Sequence, residues 1–191
     1  MIGATDGRVR ETGGHGRRIG LFAGFLAHRL GWTARQVDTL ERAAALHDVG
    51  KQEVPPHLLA KPGALTEAEM AVVRRHTVIG HRMLSWSDHP VMQQAATIAL
   101  SHHERWDGTG YPHRLKGSAI PVAARIVALA DTYDALRMER CYKPAMDHRR
   151  TVEIILDGDE RTRPEHFDPQ VLTAFHSIHF SFRTVYPTHR D

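Results

Sequence analysis

Apolar residues recur at intervals of three and four along most of this chain, which is the spacing of one face of an α-helix. The first stripe includes Ile19, Phe22 and Leu30 and predicts a helix over about 15–30. Further stripes predict helices over about 33–47, 66–84, 90–102, 121–137, 147–156 and 168–178. No series of alternating positions typical of strands is present, so we predict an all-α protein.

Capping residues mark several of these helix starts. Thr33 with Gln36 and Thr66 with Glu69 have the spacing of capping boxes, and Asp168 before Pro169 is typical of an N-cap. Between them, 104–120 is predicted to be a long ordered loop or small hairpin, because it contains three glycines and a proline. We expect 158–167 to be a polar loop and the tail from Arg183 to be loosely ordered.

Length and charge narrow the class of protein. The 191 residues suit one domain over 1–191 with a core over about 10–180, and nothing resembles a signal peptide or a membrane span. With a single cysteine, Cys141, a cytoplasmic protein is expected, either alone or as part of a longer regulator. A net charge of +3 without a dense basic patch argues against a nucleic-acid polymer as partner.

Histidine is in excess, with 15 in the chain, and several stand at the ends of apolar helices. His47-Asp48, His76 and His102-His103 do so, while Asp131 interrupts the apolar run 126–130. A single such residue is usually a hydrogen-bonded core group. Several buried imidazoles and acids in one core instead indicate shared cations, because each unpaired group would be costly to bury.

A weaker signal precedes the first helix. Glu11 and His15 are four residues apart, so a helix would place them on one face. Gly13 and Gly14 lie between them and favour an interruption. This pair alone therefore leaves open whether the two side chains share a helix face or are separated by a break in the helix.

The ordered motifs of the chain resemble the HD-GYP family over about residues 10–180. The resemblance is carried by the HD motif and a series of later segments: 47–51 (HDVGK), 61–66 (KPGALT), 75–76, 102–112 (HHERWDGTGYP), 120–121, 124–126, 131, 134–135, 140, 142–143 and 166–169. The family implies an HD-domain helical bundle with a metal centre in the core and a GYP loop, which in this chain is 108–112. It also implies two or three divalent metal ions, with Fe or Mn expected.

By this resemblance, the metal ligands would be His47, Asp48, His76, His102, His103 and Asp131. Glu11 and His15 match in residue type and spacing the pair that holds a third ion in part of the family. A carboxylate such as Asp48 suits a bridge between two metals, and the hydroxide held there would attack phosphorus.

Cations and the GYP loop would complete the site. Lys51 would donate to a phosphate oxygen or assist the leaving oxygen, and Arg140 and Lys143 would bind the second phosphate. Tyr111 would hydrogen-bond a phosphate or stack on a base. The resemblance also implies docking of diguanylate cyclase domains through this loop, and a homodimer is compatible with it.

The function implied is metal-dependent hydrolysis of cyclic di-GMP to linear pGpG, GMP or both. The alternatives are a hydrolase of another cyclic dinucleotide and a non-catalytic sensor or adaptor that docks a cyclase. Two departures from the family pattern stand out. Arg114 replaces the usual glycine before Leu115, and 161–165 is an insertion-like stretch expected away from the metals.

Overall fold

The structure, a computed structural model, describes residues 13–138 and 145–186. These residues form α-helices, short 3-10 helices and loops without any strand, which confirms the predicted fold class. In chain order the α-helices are α1 (Gly13–Arg29), α2 (Ala34–Ala44), α3 (Pro56–Leu59), α4 (Glu67–Arg74), α5 (His76–Leu84), α6 (Pro90–Ser101), α7 (Val122–Arg137), α8 (His148–Asp157) and α9 (Pro169–Arg183). The 3-10 helices are Val49–Glu53, Gly117–Ala119 and Pro164–His166.

The predicted caps are present at the starts of α2, α4 and α9. Thr33 and Gln36 form a complete capping box, in which each side chain accepts a hydrogen bond from the other residue's backbone N–H. Thr66 and Glu69 form the same arrangement at α4. The carboxylate of Asp168 caps α9. These short-range contacts depend on neighbouring residues alone, which is why the sequence pattern predicts them.

Two predicted helices are shorter than the apolar stripes suggested. Helix α2 ends at Ala44, and 45–48 form turns that precede the 3-10 helix. Helices α4 and α5, expected as one, are divided at Arg75. There the His76 ring bonds through Nδ1 to the Val73 carbonyl over 2.8 Å. A side chain bonded to a backbone carbonyl competes with the regular helical hydrogen bonds.

The core lies between α1, α2, α6, α7 and α9. Helix α1 packs against α2, α7 and α9, while α6 packs against α2, α5 and α7. Between α1, α7 and α9 lies an aromatic cluster of Phe22, Tyr133, Phe175 and Phe182, in which the rings of Phe22 and Phe182 stack with centroids 4.5 Å apart. The central position of α7 explains its apolar residues on most sides.

A close backbone contact sets the position of the HD pair relative to α5. A Cβ atom added at Gly50 would lie 2.0 Å from the carbonyl oxygen of His76 and 2.5 Å from the nitrogen of Gly80. Only glycine therefore allows the 3-10 helix Val49–Glu53 to lie directly on α5. This contact brings Asp48 beside the first turn of α5.

The chain after α9 is better ordered than expected up to the end of the described residues. The Tyr186 hydroxyl donates a hydrogen bond to Asp134 Oδ1, and its ring lies 4.7 Å from the Arg137 guanidinium. The prediction of a loose tail from Arg183 is therefore wrong for 184–186. None of the helices described has both the length and the apolar character that crossing a bilayer requires.

Candidate metal centre

The structure gathers most of the predicted metal ligands from distant segments around one point. They come from α1, the turns after α2, the start of α5, the end of α6 and the middle of α7: His15, His47, Asp48, His76, His102, His103 and Asp131. Because their side chains meet inside the bundle, their convergence depends on how all five segments pack.

Asp48 lies in the middle of this cluster. Its Oδ2 is 3.2 Å from His47 Nε2, and its Oδ1 is 3.3 Å from His76 Nε2 and 3.5 Å from His102 Nε2. There are two sets of donor atoms, and the atoms within each set lie within 4.8 Å of one another. One set comes from Asp48, His76, His102 and His103, and the other from His15, His47 and Asp48. Asp48 belongs to both sets, so one carboxylate can serve two neighbouring ions.

Three imidazoles of the centre are oriented by the same kind of hydrogen bond. His47, His76 and His102 each hydrogen-bond through Nδ1 to a backbone carbonyl of the preceding turn, over 2.8 to 3.1 Å. A carbonyl accepts only, so Nδ1 carries a hydrogen and Nε2 is the nitrogen available to a metal. Each ring therefore directs a metal-binding nitrogen at the cluster.

Unpaired buried atoms test whether these residues fit a metal. Within the described part of the chain, buried atoms that lack a hydrogen-bond partner of acceptable geometry include Nε2 of His15, His47, His76 and His102 and Oδ1 of Asp48. Such atoms are costly to bury without a partner. These five atoms belong to one cluster and are nitrogen or carboxylate donors, so the residues fit divalent metal ions.

The acids of the centre also favour positive charge there. Burial lowers the pKa of His47, but the charges of Asp48 and Asp131 outweigh it and raise the pKa to about 9. Burial raises the pKa of Asp48, but the surrounding imidazoles outweigh this and hold the pKa well below its ordinary value. The cluster therefore stabilises cations at its middle, as a metal centre must.

Asp131 and His15 close one side of the cluster. Asp131 Oδ1 lies 3.7 Å from His15 Nε2 and 3.8 Å from His47 Nε2. The other ring nitrogen of His15, Nδ1, bonds to Asp134 Oδ2 over 2.7 Å. Arg18 donates two hydrogen bonds of 2.6 and 2.8 Å to the same carboxylate. A buried carboxylate thus orients His15.

Asp134 and Arg18 are functional candidates that sequence reasoning missed. Asp134 follows Asp131 by three residues on the same face of α7, and this spacing was the available signal. Burial raises the pKa of Asp134, but hydrogen bonds from Arg18, His15 and Tyr186 outweigh it and lower the pKa to about 2. The carboxylate is therefore charged at neutral pH, which lets it accept from His15.

Lys51 lies at the edge of the centre, one turn past the HD pair. Its Nζ donates to Asp48 Oδ2, and about a third of its side chain is exposed. A lysine in this position has access both to the Asp48 carboxylate and to a ligand at the surface of the cluster. The predicted role toward a phosphate is compatible with this geometry.

The GYP loop covers the His103 side of the centre. The Tyr111 ring stacks on His103 with centroids 4.7 Å apart, and the Arg74 guanidinium lies 5.0 Å from the Tyr111 ring centroid. Burial raises the pKa of the Tyr111 hydroxyl, which stays a hydrogen-bond donor. The buried Glu104 braces the loop by accepting from the backbone N–H groups of His113 and Leu115, at 2.7 and 3.0 Å.

The stretch 161–165 is not remote from the centre, contrary to the expectation. Arg161 and Thr162 line a cavity of about 120 Å³ whose other walls include His102, His103 and Asp131. The reason is tertiary, because the loop after α8 packs beside α7 and the loop after α6, and no sequence pattern reports that contact. Glu11, Arg140 and Lys143 lie outside the described residues.

The sequence of this chain is similar to those of known proteins over most of its length. Residues 6–171 match the family model described as HD domain. The chain is 39% identical over 184 residues to a protein of Thermotoga maritima named cyclic di-GMP phosphodiesterase, covering 96% of this chain and 49% of that protein. It is 40% identical over 173 residues to 3'3'-cGAMP-specific phosphodiesterase 2 of Vibrio cholerae, covering 90% of this chain and 32% of that protein.

A solved structure shows the same fold. A protein described as Bd1817, an HDG"Y"P protein from Bdellovibrio bacteriovorus, superposes with a TM-score of 0.67 at 20% identity, over 92% of this chain and 55% of that one. The chain spans about a third to a half of the length of the two named relatives.

Proposed function

Because the chain belongs to the HD domain family, in its HD-GYP subgroup, we propose that it is a metal-dependent phosphodiesterase that hydrolyses cyclic di-GMP. The observation that supports this most directly is the set of buried, unpaired Nε2 and carboxylate atoms gathered around Asp48. Imidazole and carboxylate donors in this arrangement suit two ions that share a carboxylate, the kind of site used for phosphoester hydrolysis.

The residues would divide between two or three ions. His76, His102 and His103 would hold one ion, His47 and Asp131 the other, and Asp48 both. His15, with Glu11, would hold a third. Fe or Mn suits nitrogen and carboxylate donors without thiolate. When bound, such ions act as Lewis acids and lower the pKa of a coordinated water.

The rest of the site would bind and orient the substrate. Lys51, beside Asp48, would donate to an oxygen of the scissile phosphate, and the Tyr111 hydroxyl would donate to a phosphate oxygen. Arg140 and Lys143 would bind the second phosphate. In the net reaction, water adds its hydroxyl to phosphorus and its proton to the departing sugar oxygen. This opens the ring to linear pGpG, and a second hydrolysis would give GMP.

A second candidate substrate is 3'3'-cGAMP. Relatives named for cyclic di-GMP and for 3'3'-cGAMP are almost equally similar to this chain, at 39% and 40% identity. A third candidate is a sensor that binds cyclic di-GMP and docks a cyclase through the GYP loop without turnover. The complete ligand set favours catalysis over binding alone.

The test is turnover of cyclic di-GMP and 3'3'-cGAMP with Mn²⁺ or Fe²⁺ under reducing conditions, with product identification and metal analysis. We expect Asp48→Ala to abolish turnover and to lower metal content, because it removes the shared ligand. Asp38→Ala is the matched control, since Asp38 is an exposed aspartate of α2. Wild-type turnover by Asp48→Ala, or binding of cyclic di-GMP without any turnover by the wild-type protein, would contradict the proposal.

A further inference from the structure

The cavity beside the centre is lined both by proposed metal ligands and by arginines. The residues that line it include three proposed metal ligands, His102, His103 and Asp131, and two arginines, Arg105 and Arg161. Its volume is about 120 Å³. A substrate phosphate held at the ligands would therefore have guanidinium groups within the same cavity.

The loop that presents Arg161 has a defined conformation. Gly158 ends α8 with φ +93°. Asp159 Oδ1 accepts from the backbone N–H groups of Arg161 and Thr162 over 2.8 and 2.7 Å, and the Asp159 N–H donates to the Thr162 carbonyl over 2.8 Å. These hydrogen bonds hold the backbone of Arg161 in place, and none of them uses its side chain.

Neither guanidinium of this cavity forms an ion pair in the part of the chain that the structure describes, although the charge of Arg105 acts on the nearby Asp107. Arg105 and Arg161 are both exposed, and no ion pair joins either side chain to a carboxylate there. Arg125, by contrast, is paired with Asp168 in the same region. Two cations without an ion pair that line a cavity next to the candidate metal centre fit an anionic ligand.

We propose that Arg161, assisted by Arg105, binds the phosphate of the cyclic dinucleotide that is not being cleaved. This rests on the proposed function, since the scissile phosphate must lie at the metal ligands. A cyclic dinucleotide carries two phosphodiesters in one ring, so when one lies at the metal ligands the second lies within reach of the arginines beside them. Arg161 adds to the predicted partners Arg140 and Lys143 and acts as a substrate-positioning residue.

The experiment compares substrates with two phosphates and with one. For Arg161→Ala, we expect KM for cyclic di-GMP and for 3'3'-cGAMP to rise about tenfold with kcat little changed, as for loss of one charged hydrogen-bond partner. The kcat/KM for bis(p-nitrophenyl) phosphate, which has a single phosphodiester, should stay at the wild-type value. Arg161→Lys should recover part of the affinity because it keeps the charge.

Arg163→Ala is the matched control. Arg163 is an exposed arginine of the same loop that does not line the cavity, so its loss should change neither KM. An unchanged KM in Arg161→Ala, or an equal loss for all three substrates, would overturn the assignment. A loss confined to cyclic di-GMP would overturn it too, because it would show contact with a base.

Equilibrium binding separates this inference from the proposed function. The affinity of the Mn²⁺-loaded protein for cyclic di-GMP is measured for the wild type, Arg161→Ala and Arg163→Ala. Turnover by the wild type, together with equal affinities for all three proteins, would contradict the role of Arg161 but not the proposed hydrolysis. No wild-type turnover, with weaker binding by Arg161→Ala, would contradict the proposed hydrolysis and retain the subsite.

Discussion

At the scale of single residues, the chemistry of this protein depends on which nitrogen of each imidazole faces the centre. Backbone carbonyls hold Nδ1 of His47, His76 and His102, and the Asp134 carboxylate holds Nδ1 of His15. The proposed ligand atoms are therefore oriented before any ion binds. Pre-oriented donors lower the conformational entropy lost on binding.

Arg114 is a residue whose backbone conformation favours glycine. Its φ of +55° lies in the left-handed region, which costs a residue with a Cβ ~1 kcal/mol or more. We expect Arg114→Gly to be about 0.5–1 kcal/mol more stable than Arg114→Ala, because glycine relieves this strain and loses part of the gain to unfolded-state entropy. Denaturant unfolding of both variants measures the difference, and equal stability would contradict it.

At the scale of elements, the 3-10 helix Val49–Glu53 and α5 act as a unit because their backbones touch at Gly50. We expect Gly50→Ala to lower the free energy of unfolding by about 1–3 kcal/mol, since its Cβ would meet backbone atoms of α5 that cannot shift alone. Gly50→Ser should lose more. Chemical denaturation tests this, and wild-type stability in both variants would rule the contact out as a constraint.

The start of α4 contains a pH-sensitive cap. Hydrogen bonds from Lys61 and from the Thr66 backbone lower the pKa of Glu69 to about 2. The contribution of this carboxylate to stability is therefore complete above its ordinary pKa of 4.5 and is lost as pH falls toward 2. We expect Lys61→Met to raise the pKa of Glu69 toward 4.5, as followed by NMR titration.

The control for this titration is Lys116→Met, which removes an exposed lysine from a different loop. It should leave the pKa of Glu69 at the wild-type value. An unchanged pKa in Lys61→Met would show that the backbone N–H of Thr66 alone accounts for the shift.

At the scale of the whole molecule, the proposed ligands connect segments that are far apart in sequence. Metal binding to such a centre stabilises the folded state by mass action, by about 2.7 kcal/mol at a free concentration 100 times Kd. For a chain of this size, that corresponds to a rise in Tm of about 5–10 °C. We expect Mn²⁺ to produce this rise in the wild type and in Asp38→Ala, as measured by calorimetry. The same rise in Asp48→Ala would contradict the assignment of Asp48 as the shared ligand.

Much of the fold and of the ligand set is predictable from the sequence because the signals are local. Apolar spacing predicts the helices, and the caps at Thr33, Thr66 and Asp168 each depend on residues within a few positions. The HD pair and the paired histidines 102–103 likewise stand in recognisable order, so the proposed ligands could be named before their positions were known. Where local hydrogen bonds compete with the helix, as at His76, the spacing of apolar residues alone overestimates helix length.

Only the tertiary structure decides what depends on contacts between distant segments. It places Asp48 between two sets of donors, joins Asp134 to Arg18 and to Tyr186, and brings Arg161 to the cavity beside the centre. The physical reason is that periodicity reports which face of a helix is buried, whereas the neighbours of that face are set by how every helix packs. The sequence by itself determines the helices and the types of ligand; their packing determines which side chains share one site.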